Sequence, residues 1–130
     1  MSDPDTSPSG SELVLLVEDE PVVRKLARKA LLSNGYRVVE ASDGLQALHL
    51  MERLKERVDL ILSDLVMPGL NGDELAEKLL EKDPRVKVLL MSGYTDDVVS
   101  ALQASYPFIE KPFTFVGLLQ RIREVLTGSP

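Results

Sequence analysis

Five short apolar runs, each followed by a stretch with helical spacing, divide the chain between residues 13 and 127. The runs are 13–17 (LVLLV), 37–41 (RVVEA), 59–63 (DLILS), 86–91 (VKVLLM) and 108–110 (FIE). They lack strict polar–apolar alternation, which is the habit of strands covered on both faces in a parallel sheet. Between them, Val22, Val23, Leu26, Ala30 and Leu31 share one helical face. Leu75, Leu79 and Leu80 share another, as do Leu118, Leu119, Ile122 and Val125. Strand–helix alternation with short connections predicts an α/β fold with a parallel sheet and right-handed crossovers. The order of the strands is not contained in this pattern.

Local signals mark the ends of the helices. Pro21 suits a first helical position, where its missing N–H costs nothing. Asn71 with Glu74 three residues on can form a reciprocal cap, and Thr95 can cap a segment starting at Asp96. Residues 1–12 are polar, Pro or Gly after the first Met, so they cannot bury enough apolar surface to offset the entropy of ordering. They read as a disordered tail or linker, and residues 128–130 as a flexible end around one domain at 13–127.

Composition then removes whole classes of function. The 130 residues include no cysteine, which excludes a disulfide scaffold, a thiolate nucleophile and a Cys-based zinc site. With 21 acidic against 15 basic residues and a net charge of -6, a sequence-independent hold on nucleic acid is not expected. No apolar run reaches the roughly 18 residues of a membrane span, and a cytoplasmic domain is expected. Three acids (Asp3, Asp5, Glu12) and no base lie in the first 12 residues, so half of the net charge belongs to the leader.

In open parallel α/β sheets, sites form beyond the carboxyl ends of the strands. There the sequence places Glu18, Asp19 and Glu20 after run one, Asp64 after run three, Ser92-Gly93 after run four and Lys111-Pro112 after run five. Acids after a strand are often solvated residues at a helix N-terminus. Three converging carboxylates, however, repel one another, and a divalent cation resolves the conflict. Hard oxygen ligands without Cys or a nearby His point to Mg²⁺. An aspartate nucleophile, a metal, a lysine and a hydroxyl together suit phosphoryl transfer, which needs chiefly charge neutralisation and positioning. His49 stands alone in its helix and reads as an ordinary surface histidine.

These residues carry a resemblance. Val14-Leu15-Leu16-Val17-Glu18-Asp19-Glu20, Leu62-Ser63-Asp64-Leu65-Val66-Met67-Pro68-Gly69 with Gly72, Met91-Ser92-Gly93 and Lys111-Pro112-Phe113 resemble, in order and spacing, the receiver domain of two-component response regulators. The resemblance implies a flavodoxin-like, doubly wound sheet of five parallel strands, order 2-1-3-4-5, with five surrounding helices. It implies Asp64 as phosphoacceptor, Asp19 as a direct Mg²⁺ ligand with Glu18 beside it, and the Val66 carbonyl as a third protein ligand. Ser92 and Phe108 fall at the switch positions, Lys111 at the lysine that holds a phosphoryl oxygen, and the Lys111–Pro112 peptide is expected cis. The 18 residues between Ser92 and Lys111 are fewer than the family pattern, so Val98–Tyr106 is expected to form a short fourth helix.

The implied function is that of a signalling phosphoacceptor rather than an enzyme acting on a foreign substrate. Its partner would be a histidine kinase or a histidine phosphotransfer protein, with no direct contact to nucleic acid or membrane. A phosphorylation-dependent dimer is compatible with it. A non-phosphorylated pseudo-receiver acting as a binding module is the alternative, disfavoured by the intact acid, serine and lysine set. A dehalogenase-type phosphohydrolase needs an Asp-x-Asp after the first strand, and 18–20 read Glu-Asp-Glu. The linker-like start favours a piece of a hybrid histidine kinase over a stand-alone regulator.

Overall fold

The computed structural model describes residues 12–93 and 105–128. The expected tail to residue 11, the Thr95 cap, most of Val98–Tyr106 and the last two residues lie outside that range. Nine elements follow one another: β1 (Leu13–Val17), α1 (Pro21–Ser33), β2 (Arg37–Ala41), α2 (Gly44–Arg53), β3 (Leu60–Asp64), α3 (Gly72–Lys82), β4 (Lys87–Ser92), β5 (Phe108–Glu110) and α4 (Phe115–Thr127). All strand pairs are parallel and the order is β2-β1-β3-β4-β5. Five strands in that order and four helices among the described residues give the expected doubly wound, flavodoxin-like fold. Ser105 and Tyr106, at the end of the expected fourth helix, form a turn instead.

The continuous apolar runs are explained by two cores, one on each face of the sheet. Side chains alternate across a strand, so Leu13, Leu15 and Val17 of β1 face one way, with Ile61, Leu75, Leu79, Val88 and Leu90. Val14 and Leu16 face the other, with Ala27, Leu31, Leu60, Leu62, Leu89, Leu118 and Ile122. Helices α2 and α3 cover the first face, and α1 and α4 the second. Every side chain of β1 is buried. At about 1.5–3 kcal/mol per fully buried aliphatic side chain, this central strand contributes heavily to the drive to fold.

Strands β3 and β4 each start and end one residue later than the hydrophobic pattern predicts. Asp59 immediately precedes β3; its N–H donates to the Leu13 carbonyl at 2.9 Å and its carboxylate accepts from the Leu13 N–H at 2.8 Å, closing the start of β1. At the other end, Asp64 is still within the ladder, opposite Met91, and Ser92 is the last residue of β4. Pro21 opens α1 as expected, and the Glu74 carboxylate accepts from the Asn71 N–H at 2.9 Å. Asn71 Oδ1 also accepts from Met67 N–H at 3.1 Å, so this cap fixes the β3–α3 loop as well as the helix. Asn71→Ala is expected to cost about 1 kcal/mol, the usual worth of such a cap, read as a melting temperature a few degrees lower.

The sheet edges carry charge. On β2, Arg37 pairs with Glu56, and Glu40 faces Arg24 and Arg28. Along β5, Arg121 Nε of α4 donates to the Phe108 carbonyl at 3.1 Å.

Candidate functional site

The register of the sheet brings the sequence-predicted residues together. Val17 lies opposite Ser63, so Glu18 and Asp64 emerge level at the carboxyl ends of β1 and β3. Ser92 of β4 lies opposite Glu110 of β5, and the Lys111 N–H donates to the Ser92 carbonyl at 2.8 Å. One carboxylate oxygen each from Glu18, Asp19 and Asp64 falls within a mutual 4.8 Å. Lys111 Nζ lies 2.9 Å from Glu18 Oε1 and 3.3 Å from Asp64 Oδ2. Lys111–Pro112 is cis, as expected.

Burial separates the three acids. Asp19 is exposed, Asp64 half-buried and Glu18 fully buried. A buried carboxylate must be compensated, and Glu18 is: Oε2 accepts from the Glu20 N–H at 3.0 Å and Oε1 from Lys111. The reading of Glu18 as a solvated helix-start acid is therefore excluded. For Asp64 the balance runs the other way. Burial first, then the Glu18 charge, push its carboxyl up to about 6 against a partial opposing pull from Lys111. Burial alone would lower the Lys111 ammonium, but the Glu18 hydrogen bond and the charges of Asp64 and Glu18 hold it above its ordinary value.

This donor set fits a hard divalent cation. It is all oxygen, it converges, and it carries more negative charge than Lys111 alone can neutralise. The remaining predicted residues lie on β4, β5 and the loop after β3. Ser92 is buried, with 3% of its surface exposed, and Val66 is exposed in the loop after β3. Phe108, two residues before the level of Ser92, packs half-buried against the core under α2 and α3.

Two supporting residues were not singled out from sequence. Arg24 on α1 donates from a guanidinium nitrogen to the Glu18 backbone carbonyl at 2.7 Å. Only the β1–β2 register, Leu16 opposite Glu40, reveals the acid that holds this arginine in place. Gly72, noted only as part of a motif, starts α3 against the end of β3, where an added Cβ would lie 2.3 Å from the Asp64 carbonyl oxygen.

Comparison with known proteins gives a consistent answer. The response regulator receiver domain profile matches residues 14–123. Over 124 residues the chain is 41% identical to the sensor kinase CckA of Brucella abortus (strain 2308), covering 93% of this chain and 13% of that kinase. The solved receiver domain of the hybrid histidine kinase CckA superposes with a TM-score of 0.75 at 34% identity, covering 88% of this chain and 98% of that one. The response regulator TrrA of Thermotoga maritima, solved in complex with Mg²⁺ and BeF, superposes with a TM-score of 0.76 at 28% identity, covering 88% and 99%. The chain spans less than half the length of the first curated relatives it matches. With the strand order, the acid cluster and the profile in agreement over the same residues, the chain belongs to the response regulator receiver domain family of two-component signalling.

Proposed function

We propose that Asp64 accepts a phosphoryl group from a phosphohistidine of a histidine kinase or phosphotransfer protein. The observation that carries this is the convergence of Glu18, Asp19, Asp64 and Lys111 at the carboxyl ends of parallel strands. In the transfer, an Asp64 carboxylate oxygen attacks phosphorus as the phosphorus–nitrogen bond of the donor breaks, and the imidazole leaves with its electron pair. Asp64 reacts as the carboxylate, and with its carboxyl at about 6 it is mostly ionised at neutral pH. Lys111 sits 3.3 Å from that carboxylate, in reach of a phosphoryl oxygen bonded to it. The Ser92 hydroxyl at the neighbouring strand end is the second donor.

Asp19, Asp64 and the Val66 carbonyl would hold Mg²⁺, with Glu18 beside them. Bound there, the ion would supply charge neutralisation between carboxylates and phosphoryl oxygens. Glu18 has its carboxylate committed to Lys111 and the Glu20 N–H, which supports a supporting rather than a direct ligand role. Inward movement of Ser92, followed by Phe108, would then shift the population between two states of the β4–β5 side.

A donor also needs a place to dock. Exposed Val22, Leu26, Phe115 and Val116 lie on α1 and the start of α4, and an apolar groove of about 400 Å³ lined by Leu26, Phe113 and Phe115 runs up to Lys111. The acidic balance, with a net charge of -6, supports a domain without direct nucleic-acid contact. No helix among the described residues is long and apolar enough to cross a membrane. Incubation with Mg²⁺ and acetyl phosphate is expected to add one phosphoryl group by mass, and Asp64→Asn to add none. An unchanged gain in the variant moves the acceptor elsewhere, and no gain in the wild type points to a binding module.

A further inference from the structure

The acid pair Glu18-Asp19 leaves the sheet at the end of β1, where the ladder no longer holds it. Beside the side-chain bonds of Glu18, two contacts of its main chain hold it there. The Glu18 N–H donates to the Ala41 carbonyl at the end of β2, 3.2 Å away. The Glu18 carbonyl accepts from the Arg24 guanidinium at 2.7 Å. That carbonyl belongs to the peptide group joining Glu18 to Asp19, so its orientation decides where the Asp19 carboxylate points. Arg24 is itself held: Nε lies 3.5 Å from Glu40 Oε1, and Arg28 Nε lies 2.8 Å from Glu40 Oε2. A charged arginine bridging an edge strand and the backbone of the acid pair has a larger task than covering surface.

We propose that Arg24 is a positioning residue for the metal pocket, fixing the Glu18–Asp19 peptide so that Asp19 is presented to the cation. The proposal rests on the reading that Glu18, Asp19 and Asp64 hold Mg²⁺. Two effects of Arg24 oppose each other. Its positive charge repels a divalent cation, so losing the charge alone should tighten binding. Its hydrogen bond preorganises a ligand, so losing the anchor should weaken binding. The repulsion is offset by the Glu40 carboxylate 3.5 Å from Arg24 Nε, and salt screens charges that lie beyond about 8 Å at physiological ionic strength. The hydrogen bond is short, charge-assisted and local, and we expect it to win.

Arg28 separates the two, because it carries the same charge on the same helix and pairs with the same Glu40. Both arginines ion-pair with Glu40, but the hydrogen bond to the Glu18 carbonyl is made by Arg24. The test is calorimetric titration of Mg²⁺ alone into the whole chain, with circular dichroism melts to verify folding. Arg24→Ala is expected to bind Mg²⁺ about fivefold more weakly, and Arg28→Ala no more weakly than wild type. Glu40→Gln, which leaves Arg24 in place without its anchor, is expected to bind about twofold more weakly. Wild-type or tighter affinity in Arg24→Ala would overturn the proposal, as would an equal loss in Arg28→Ala. Should Arg24→Ala not fold, wild-type affinity in Glu40→Gln would overturn it. A wild type without a saturable site would instead remove the metal reading on which the proposal stands.

Discussion

In chelator at pH 8, Asp64→Asn is expected to melt well above the wild type. The Asp64 carboxyl sits at about 6 in the fold against an ordinary 3.8, because burial and the Glu18 charge outweigh Lys111. A carboxyl whose folded value lies above its unfolded one binds its proton more tightly in the native state. The stability this gives is complete below pH 3.8 and is lost as pH rises through about 6. Above that window the wild type carries an unfavourable charge that asparagine, which does not ionise, avoids. A shift of about two pKa units corresponds to on the order of 3 kcal/mol. The advantage of the variant should therefore shrink as pH falls through 6 and vanish near 4. Added Mg²⁺ should stabilise the wild type and leave the variant nearly unchanged, since a ligand stabilises only the state that binds it. Denaturant unfolding at pH 4 and pH 8, with and without Mg²⁺, reads all of these. A variant no more stable than wild type at pH 8 would mean that Lys111 fully compensates Asp64.

Gly72→Ala is expected to do the opposite, and to do it at every pH. Helix α3 starts hard against the end of β3, where the Gly72 N–H donates to the Leu65 carbonyl at 2.8 Å. A Cβ at this position would meet the Asp64 carbonyl oxygen at 2.3 Å, the Asp64 carbonyl carbon at 3.1 Å and the Leu65 Cα at 3.2 Å. All three are backbone atoms of Asp64 and the residue after it, so no side-chain rotation relieves the overlap. Either α3 backs away or the strand end moves. The expected cost is about 3 kcal/mol, at the upper end of overpacking, with a melting temperature lower by about 10 °C. Phosphorylation from acetyl phosphate should fall with it, because the displaced backbone is that of Asp64. Gly93→Ala serves as the control: a Cβ there meets nothing within 4 Å among the described residues, and its stability should stay within about 0.5 kcal/mol of wild type. Equal losses in the two variants would point to chain flexibility rather than to the contact at Gly72.

Much of this arrangement was legible in the order of residues. Apolar runs without alternation announced strands buried on both sides, and Val14 and Leu16 opposing Leu13, Leu15 and Val17 across β1 are the physical content of that signal. Polar residues at the strand ends announced the site, because a strand covered on both faces offers chemistry only where it stops. The strand order came from the family resemblance and not from periodicity, since pairing between distant segments leaves no local mark. Burial of Glu18 was not legible either. It depends on Lys111, 93 residues away, and on the Glu20 N–H turning back. The strand boundaries at Asp59 and Asp64 slipped by one residue for a similar reason. The apolar run stops at Ser63, whereas the Asp64 backbone still pairs with Met91 across the ladder.

The charged borders of the sheet carry a consequence for how copies of this domain can meet. A bare outer strand is a template for pairing with another chain, and proteins that stay separate blunt it. Here β5 is three residues long and has its Phe108 carbonyl occupied by Arg121. At the opposite border, β2 presents Arg37 and Glu40, both engaged in ion pairs. Neither border invites runaway strand addition. Among the described residues the sheet therefore stops at five strands, its two outer borders held by charge rather than by a neighbouring chain.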